Sequence, residues 1–145
     1  MEFLEKLKPL ALLLLRVALG IIFVSHGYPK LFTHLHETVA GFQHMGFPGY
    51  FAYIAGVLEF FGGLLLIAGL FTPIAALLLA IEMGVAIWRV HLPQGTILAV
   101  NNYEFPLALA AGAFALATIG AGAISLDHVL YGARPKAPRR PKDRD

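Results

Sequence analysis

Four long apolar stretches, separated by shorter polar connections, set the pattern of this chain. They cover residues 10–32, 51–71, 73–92 and 105–124. Each has about the 20 residues that a helix rising ~1.5 Å per residue needs to cross ~30 Å of hydrocarbon. The pattern predicts an all-α integral membrane four-helix bundle, which forms a single domain over residues 1–131. Residues 132–145 are rich in proline and basic residues, and we predict a disordered tail there.

The connections between the stretches differ in length and in character. Only Thr72 and Pro73 separate the second stretch from the third, and proline suits the first position of a helix, so these two helices should form a tight antiparallel pair. The connection over residues 33–50 is long and unusually apolar. It predicts a short additional helix that folds back and ends at the turn sequence of residues 46–49.

Basic residues lie on one side of the predicted bundle only. Lys6 and Lys8 precede the first stretch, and the tail carries six further Lys and Arg residues. The connections on the other side, residues 33–50 and 93–103, contain neither. Cytoplasmic flanks of membrane helices are enriched in Lys and Arg, so both termini are predicted to be cytoplasmic in a multi-pass protein of the cell (cytoplasmic) membrane.

The composition agrees with a membrane protein and excludes several kinds of chemistry. Of the 145 residues, 58% are hydrophobic, above the roughly 45–50% of soluble domains. There is no cysteine, which excludes disulfides, thiolate metal sites and dithiol redox chemistry. Any electron transfer must therefore be carried out by a bound cofactor or quinone. We predict no metal site and no nucleic-acid partner.

Ionisable residues interrupt these apolar stretches and mark the candidate site. They are Arg16, Lys30, Glu59, Glu82, Arg89 and Glu104. A charge at mid-membrane costs between ~2.5 and ~17 kcal/mol depending on the method, so such groups are paired or functional. Three cations and three anions predict a buried network of ion pairs, concentrated toward the outer side, with Arg16 and Glu82 as its structural extension.

Helical spacing predicts that the charged faces are also the packing faces. On the first helix, Arg16, Gly20, Phe23, Gly27 and Lys30 share one face. Small residues accompany the carboxylates of two other helices, and small residues let membrane helices approach closely. These sets are Ala52, Gly56, Glu59 and Gly63 on the second helix, and Glu104, Ala108, Ala111, Ala115, Thr118 and Gly122 on the fourth. We therefore expect all these faces to meet in the bundle interior.

The run from Arg16 to Phe32, RVALGIIFVSHGYPKLF, resembles the opening helix of the DoxX family of small membrane proteins. The likeness continues in the second helix with EFFGG at residues 59–63 and GLFTP at residues 69–73, in the third with Glu82, and in the fourth with Glu104. It covers roughly residues 10–128. The resemblance implies a four-helix membrane fold and an association with respiratory or redox enzymes, some of them quinone-linked.

A quinone headgroup is the ligand that this resemblance and the polar residues suggest together. Such a site needs a donor for each carbonyl oxygen and a group that exchanges protons. We predict His26, Glu59 and Glu104 as catalytic residues. The predicted ligand-binding residues are Lys30, Arg89, His91 and Tyr103.

Three functions remain open from the sequence. The first is a small quinone-binding component of a membrane oxidoreductase, which leaves open whether this chain turns over a substrate. The second is a non-catalytic accessory or assembly subunit of a larger respiratory membrane complex, or a homo-oligomer, in which the buried ion pairs are structural. The third is a proton or small-molecule carrier, for which four short spans leave little room. In every case membrane lipid is a partner.

Overall fold

The computed structural model describes residues 1–132, and these residues contain helices and no strands, so the all-α prediction is confirmed. The helices are α1 (Glu2–Lys6), α2 (Lys8–Tyr28), α3 (Leu35–His44), α4 (Tyr50–Ala68), α5 (Thr72–Ala86), α6 (Glu104–Ile119) and α7 (Leu126–Tyr131). A π-helical turn extends α2 over Pro29–Thr33, and another extends α5 over Ile87–His91, followed by a 3₁₀ turn over Leu92–Gln94. A further 3₁₀ turn covers Val100–Asn102.

Three of the predicted apolar stretches correspond to helices long and apolar enough to cross a membrane, over Lys8–Thr33, Tyr50–Ala68 and Thr72–Gln94. The fourth, α6, has 16 residues and ends five residues before the predicted limit. It ends there because Gly120 and Gly122 have φ angles of +91° and +82°, which are outside the helical region. The predicted tail, apart from Gly132, lies outside the described residues.

The four long helices pack in the order α2, α4, α5 and α6, and α6 touches α2 to close the bundle. Buried leucines and a phenylalanine fill the centre: Leu19, Phe23, Leu66, Leu79 and Leu116. The bundle has two ends, which we name for their short helices. The α3 end comprises residues 29–50 and 87–104, and the α7 end comprises residues 69–72 and 120–131.

Glycines bring α2 and α4 into backbone contact. A methyl group added at Gly20 would come within 2.7 Å of the Gly63 carbonyl oxygen, and one at Gly63 would come equally close to the Gly20 carbonyl oxygen. Toward the α3 end, Gly27 lies directly against the backbone of Glu59 and Phe60. The predicted packing faces of the first and second helices are thus confirmed as buried, except that Lys30 is half-buried.

The predicted packing face of the fourth helix is wrong. Glu104, Ala108, Ala111 and Thr118 of α6 are exposed, and the buried face consists of Pro106, Leu109, Ala113 and Leu116. The reason is that α6 fills the space beside α5 with larger side chains, including Leu109 and Leu116 of the central core. The small residues Ala108 and Ala111 therefore face away from the bundle.

Arg16 fastens the end of α6 to the bundle interior. Its side chain is 1% exposed, and its Nη1 and Nη2 atoms donate to the carbonyl oxygens of Ala121 and Ile124 at 3.1 and 2.8 Å. The guanidinium packs against Gly69, which has a φ of +70° and leaves no room for a side chain. Arg16 therefore satisfies carbonyl groups of the chain that follows α6, and it makes no ion pair with Glu82.

Asp127 caps α5 from the far end of the sequence. Its carboxylate oxygens accept hydrogen bonds from the backbone N–H groups of Phe71 and Thr72 at 2.7 and 2.9 Å, and its own N–H donates to the Gly69 carbonyl at 2.8 Å. These are groups that a helix N-terminus leaves unsatisfied. The cap thus holds α7 against the turn between α4 and α5.

Replacing Asp127 with alanine should lower the free energy of unfolding by ~1–2 kcal/mol, since it removes a cap with two hydrogen bonds. Thermal unfolding in detergent measures the change. Glu5→Ala is the matched control, because Glu5 is exposed on α1 and its side chain makes no hydrogen bond to any residue that the structure describes. Equal midpoints for the two variants would show that the cap contributes nothing.

Candidate functional site

Lys30 and Glu59 form the one ion pair found among residues 1–132. Lys30 lies in the π-helical turn that extends α2, and Glu59 lies on the glycine-lined face of α4 with 3% of its surface exposed. The close approach at Gly27 and Gly56 brings the two helices near enough for the lysine ammonium to donate to Glu59 Oε2. Three ion pairs were predicted, and the described residues contain this single pair.

Glu82 faces this pair from α5. Its carboxyl lies close enough to interact electrostatically with both Glu59 and Lys30. Its Oε2 atom is buried and has no hydrogen-bond partner among the described residues. A buried polar atom without a partner costs ~1–3 kcal/mol. Arg16 Nε and Thr72 Oγ1 are also buried without a partner among the described residues, and Glu82 differs from them because it lines the pocket beside the Lys30–Glu59 pair.

An apolar pocket of about 260 Å³ lies over these three side chains at the α3 end of the bundle. Its walls come from α4 and α5, and its roof comes from α3 and the turn after it. The lining side chains besides the polar three are Phe42, Met45, Phe47, Phe51, Ile54, Ala55, Leu58, Leu78, Ile81, Met83, Val85, Ala86 and Val90. Exposed Ile54, Ile81 and Val85 show that the pocket opens on the apolar flank of the bundle.

The roof arises from the apolar connection after the first span. The predicted short helix is present as α3, and Gly46, with a φ of +84°, turns the chain back toward α4. This turn places Phe47 over the pocket, where its ring contacts Phe42 and Phe51 at centroid distances of 5.9 and 5.5 Å. Three aromatic rings thus cover the polar groups.

Arg89 lies at the edge of this roof. Its guanidinium carbon is 5.7 Å from the centroid of the Phe47 ring and 5.4 Å from that of Trp88, within the range of cation–π attraction. The side chain is exposed and does not line the pocket. The predicted ligand-binding residue Arg89 is therefore next to the site and contacts it through Phe47.

The remaining predicted site residues lie outside the pocket. His26 is exposed, with its Nδ1 atom 2.8 Å from the carbonyl oxygen of Ile22, and its ring is 5.7 Å from that of Phe105. Glu104 is exposed at the start of α6. His91 bonds to the Ala86 carbonyl oxygen at 2.9 Å, and the hydroxyl of buried Tyr103 donates to the Ile97 carbonyl oxygen. None of these four residues lines the pocket.

Sequence reasoning missed two features of this site. Glu82 was predicted as part of a structural network, whereas it lines the pocket together with Glu59 and Lys30. The aromatic roof was not predicted as part of a site, although the phenylalanines of the 33–50 connection were a signal for it. If this connection were exposed only to water, it would be expected to carry polar and charged residues.

Comparisons with known proteins identify a single family for this chain. The DoxX family profile matches residues 11–92. A Bacillus subtilis protein named "Putative oxidoreductase CatD" is 35% identical over 82% of this chain and 86% of its own length. Two Escherichia coli proteins, "Inner membrane protein YphA" and "Inner membrane protein YqjF", are 34% and 31% identical over 83% and 87% of this chain and 90% and 96% of their own lengths. No solved structure matches the chain significantly.

Proposed function

Since this chain belongs to the DoxX family of membrane proteins, we propose that it is a small component of a membrane oxidoreductase system and that its pocket binds a quinone headgroup. The redox class is supported by the relative whose name includes "oxidoreductase". The ligand is proposed from the chemistry of the pocket. The observation that carries the proposal is Glu82 Oε2, which is buried beside the Lys30–Glu59 pair and has no hydrogen-bond partner within residues 1–132.

The residues present fit a quinone. The pocket volume of about 260 Å³ is near the lower limit of ~300 Å³ for small-molecule sites, and its lining is apolar apart from one cation and two carboxyl groups. The ammonium of Lys30 has three donor hydrogens, of which Glu59 accepts one, so another can reach a carbonyl oxygen of the ligand. Phe42, Phe47 and Phe51 offer ring faces for a planar headgroup.

The two carboxyl groups have distinct parts in this proposal. A bound quinone would supply the electron-transfer chemistry, which a chain without cysteine lacks. Glu82, through Oε2, holds or releases a proton at the ligand oxygen opposite Lys30. Glu59 accepts a hydrogen bond from Lys30 and so holds its ammonium group beside the pocket. The aromatic roof excludes water, which strengthens these polar contacts.

The proposal places the protein in the cytoplasmic membrane with four spans and both termini in the cytoplasm. The basic residues before α2 and after α7 support this orientation. Helix α6 rises ~24 Å, and the residues that follow it lengthen the path across the membrane. The pocket then lies in the outer half of the membrane, and Arg16 and Asp127 lie toward the cytoplasmic side.

The outward face of α6 favours a second candidate function, that of an accessory subunit of a larger respiratory complex or a homo-oligomer. Ala108, Ala111 and Ala115 line that face with small side chains. In membranes, small residues at such spacing permit close contact with another helix. In this candidate the Lys30–Glu59 pair is purely structural, and no quinone is bound.

Solvent extraction of the detergent-purified protein, followed by mass spectrometry, tests the proposed function. We expect near-stoichiometric quinone in the unaltered protein. Glu82→Leu should reduce the occupancy ~10–100-fold, because a hydrogen bond to a charged group contributes ~1.5–3 kcal/mol. The protein should remain folded, since leucine suits an apolar pocket.

Glu104→Leu is the matched control, because the same substitution falls on an exposed glutamate outside the pocket. His26→Ala tests whether quinone binding depends on the histidine predicted to be catalytic, which lies outside the pocket. Quinone retained in both variants and lost in Glu82→Leu supports the pocket. Absence of quinone from the unaltered protein contradicts the proposal and favours the accessory subunit.

A further inference from the structure

A second cavity lies next to the pocket, along the seam between α4 and α5. It has a volume of about 370 Å³, and we call it the α4–α5 groove. Its lining side chains are Val57, Leu58, Phe61, Gly62, Leu65, Phe71, Ile74, Ala75 and Leu78. Leu58 and Leu78 line both cavities. The groove therefore runs from the polar pocket toward the α7 end of the bundle.

The two cavities differ sharply in polarity. Among the side chains of residues 1–132 that line the two cavities, the charged ones are Lys30, Glu59 and Glu82, and all three line the pocket. The groove is lined by apolar residues and one glycine. A ligand that fills both must have a polar head and an apolar tail attached to it. The groove also opens sideways, since 46% of Val57 and 64% of Ile74 are exposed on the apolar flank of the bundle.

We propose that the α4–α5 groove holds the apolar tail of the ligand whose headgroup occupies the pocket, and that this ligand is an isoprenoid-tailed quinone. The inference rests on the proposed function and adds the class of ligand. Its basis is that the two cavities are adjacent and share Leu58 and Leu78 in their walls, and that the polar groups lie at one end. The ligand reaches the site from the lipid and not from water.

The dimensions of the groove suit such a tail. From Glu82 to Ile74, α5 rises ~12 Å, which is long enough for the first units of an isoprenoid chain. Beside Ile74 the tail leaves the groove sideways into the lipid, because that side chain is exposed on the flank of the bundle. The tail gains no hydrophobic free energy over lipid, so close packing against the groove walls supplies its contribution.

A phospholipid is a poorer fit for the same two cavities. Glu82 lies ~15 Å along α5 from Thr72, about half of the hydrocarbon thickness of a bilayer. A phospholipid carries its charged headgroup at the membrane surface and would have to draw that group to mid-membrane to meet Glu82. A neutral quinone ring can occupy that depth. The polar end of the site therefore selects a headgroup without net charge.

Equilibrium binding in detergent tests this inference with one quinone headgroup in two forms, with a decyl tail and without a tail. Val57→Trp fills the groove without altering any pocket residue. It should weaken binding of the tailed form about tenfold, because packing contacts along the groove are lost, and leave binding of the tail-less form unchanged. Leu64→Trp is the matched control, since Leu64 is exposed on α4 outside both cavities.

The tailed quinone also partitions into detergent, which affects its apparent affinity. This effect is the same for both tryptophan variants, so the difference between them reports binding in the groove. Selective loss of the tailed form in Val57→Trp alone supports the inference. Equal affinities of both forms for the unaltered protein, or equal effects of the two variants, would overturn it while the headgroup site stands. A protein that binds neither form overturns the proposed function and this inference together.

Discussion

Replacing Lys30 with methionine is expected to lower the free energy of unfolding by ~3–5 kcal/mol. The substitution leaves Glu59, with 3% of its surface exposed, as a buried carboxylate without its partner. Removing one member of a buried ion pair is strongly destabilising for that reason. Unfolding by denaturing detergent, followed by circular dichroism, measures the change.

The double variant Lys30→Met, Glu59→Leu should recover most of the lost stability. A buried ion pair can often be exchanged for well-packed apolar residues at little or no cost. Arg89→Met is the control for loss of a cation, because Arg89 is exposed and its guanidinium lies over the rings of Phe47 and Trp88. That change should cost ~0.5–1 kcal/mol. If the double variant is as unstable as Lys30→Met, the cost does not come from an unpaired Glu59.

In this double variant, the free energy of unfolding should recover while quinone binding stays impaired. It keeps Glu82 but loses the donor and its partner, so the proposed quinone occupancy should fall although the fold is restored. A double variant that is both stable and fully loaded with quinone would show that Glu82 and the aromatic roof suffice for binding. The purely structural role of the pair would then be established.

Gly27→Leu should prevent α2 from packing on α4. Even the first side-chain atom would overlap the backbone nitrogen of Phe60, and it would lie 2.9 Å from Glu59 Cβ. Overpacking costs ~1–3 kcal/mol where side chains can adjust, and backbone atoms adjust least, so we expect ~3 kcal/mol or more. The yield of monodisperse protein in size-exclusion chromatography and its thermal midpoint report the loss.

Gly84→Ala is the matched glycine control. A methyl group at Gly84 meets no atom within 4 Å, and it replaces the glycine of an exposed helical position. Alanine should stabilise α5 there by ~0.5–1 kcal/mol, opposite in sign to the effect at Gly27. A destabilisation of similar size at both positions would contradict the assignment of the loss to the α2–α4 contact, because a methyl group at Gly84 meets no neighbouring atom.

The interior faces of α2 and α4 were predictable because glycine accompanies charge on both of them. Gly20 and Gly27 lie on the same face as Arg16, and Gly56 and Gly63 lie on that of Glu59, and all of these residues are buried. Two independent features thus indicated one face. The helical character of the 33–50 connection was also predictable from its apolar residues, and α3 confirms it.

The interior face of α6 was not predictable from the same pattern. Lipid and a protein interior are both apolar, so hydropathy does not distinguish the side of a helix that faces lipid from the side that packs. Small residues can serve a contact within the chain or one with another chain. Only packing against α5 showed that Leu109 and Leu116 point inward and that Ala111 points outward.

Hydropathy and short sequence motifs were sufficient to identify an all-helical membrane protein of the DoxX family whose charges lie within apolar helices. Those features depend on composition and on periodicity along one helix at a time. Tertiary structure alone decided that Lys30 pairs with Glu59, that Arg16 binds backbone carbonyl groups, and that Glu82 faces an apolar pocket. These partners lie on different helices, and their meeting depends on how closely and at what rotation the helices pack.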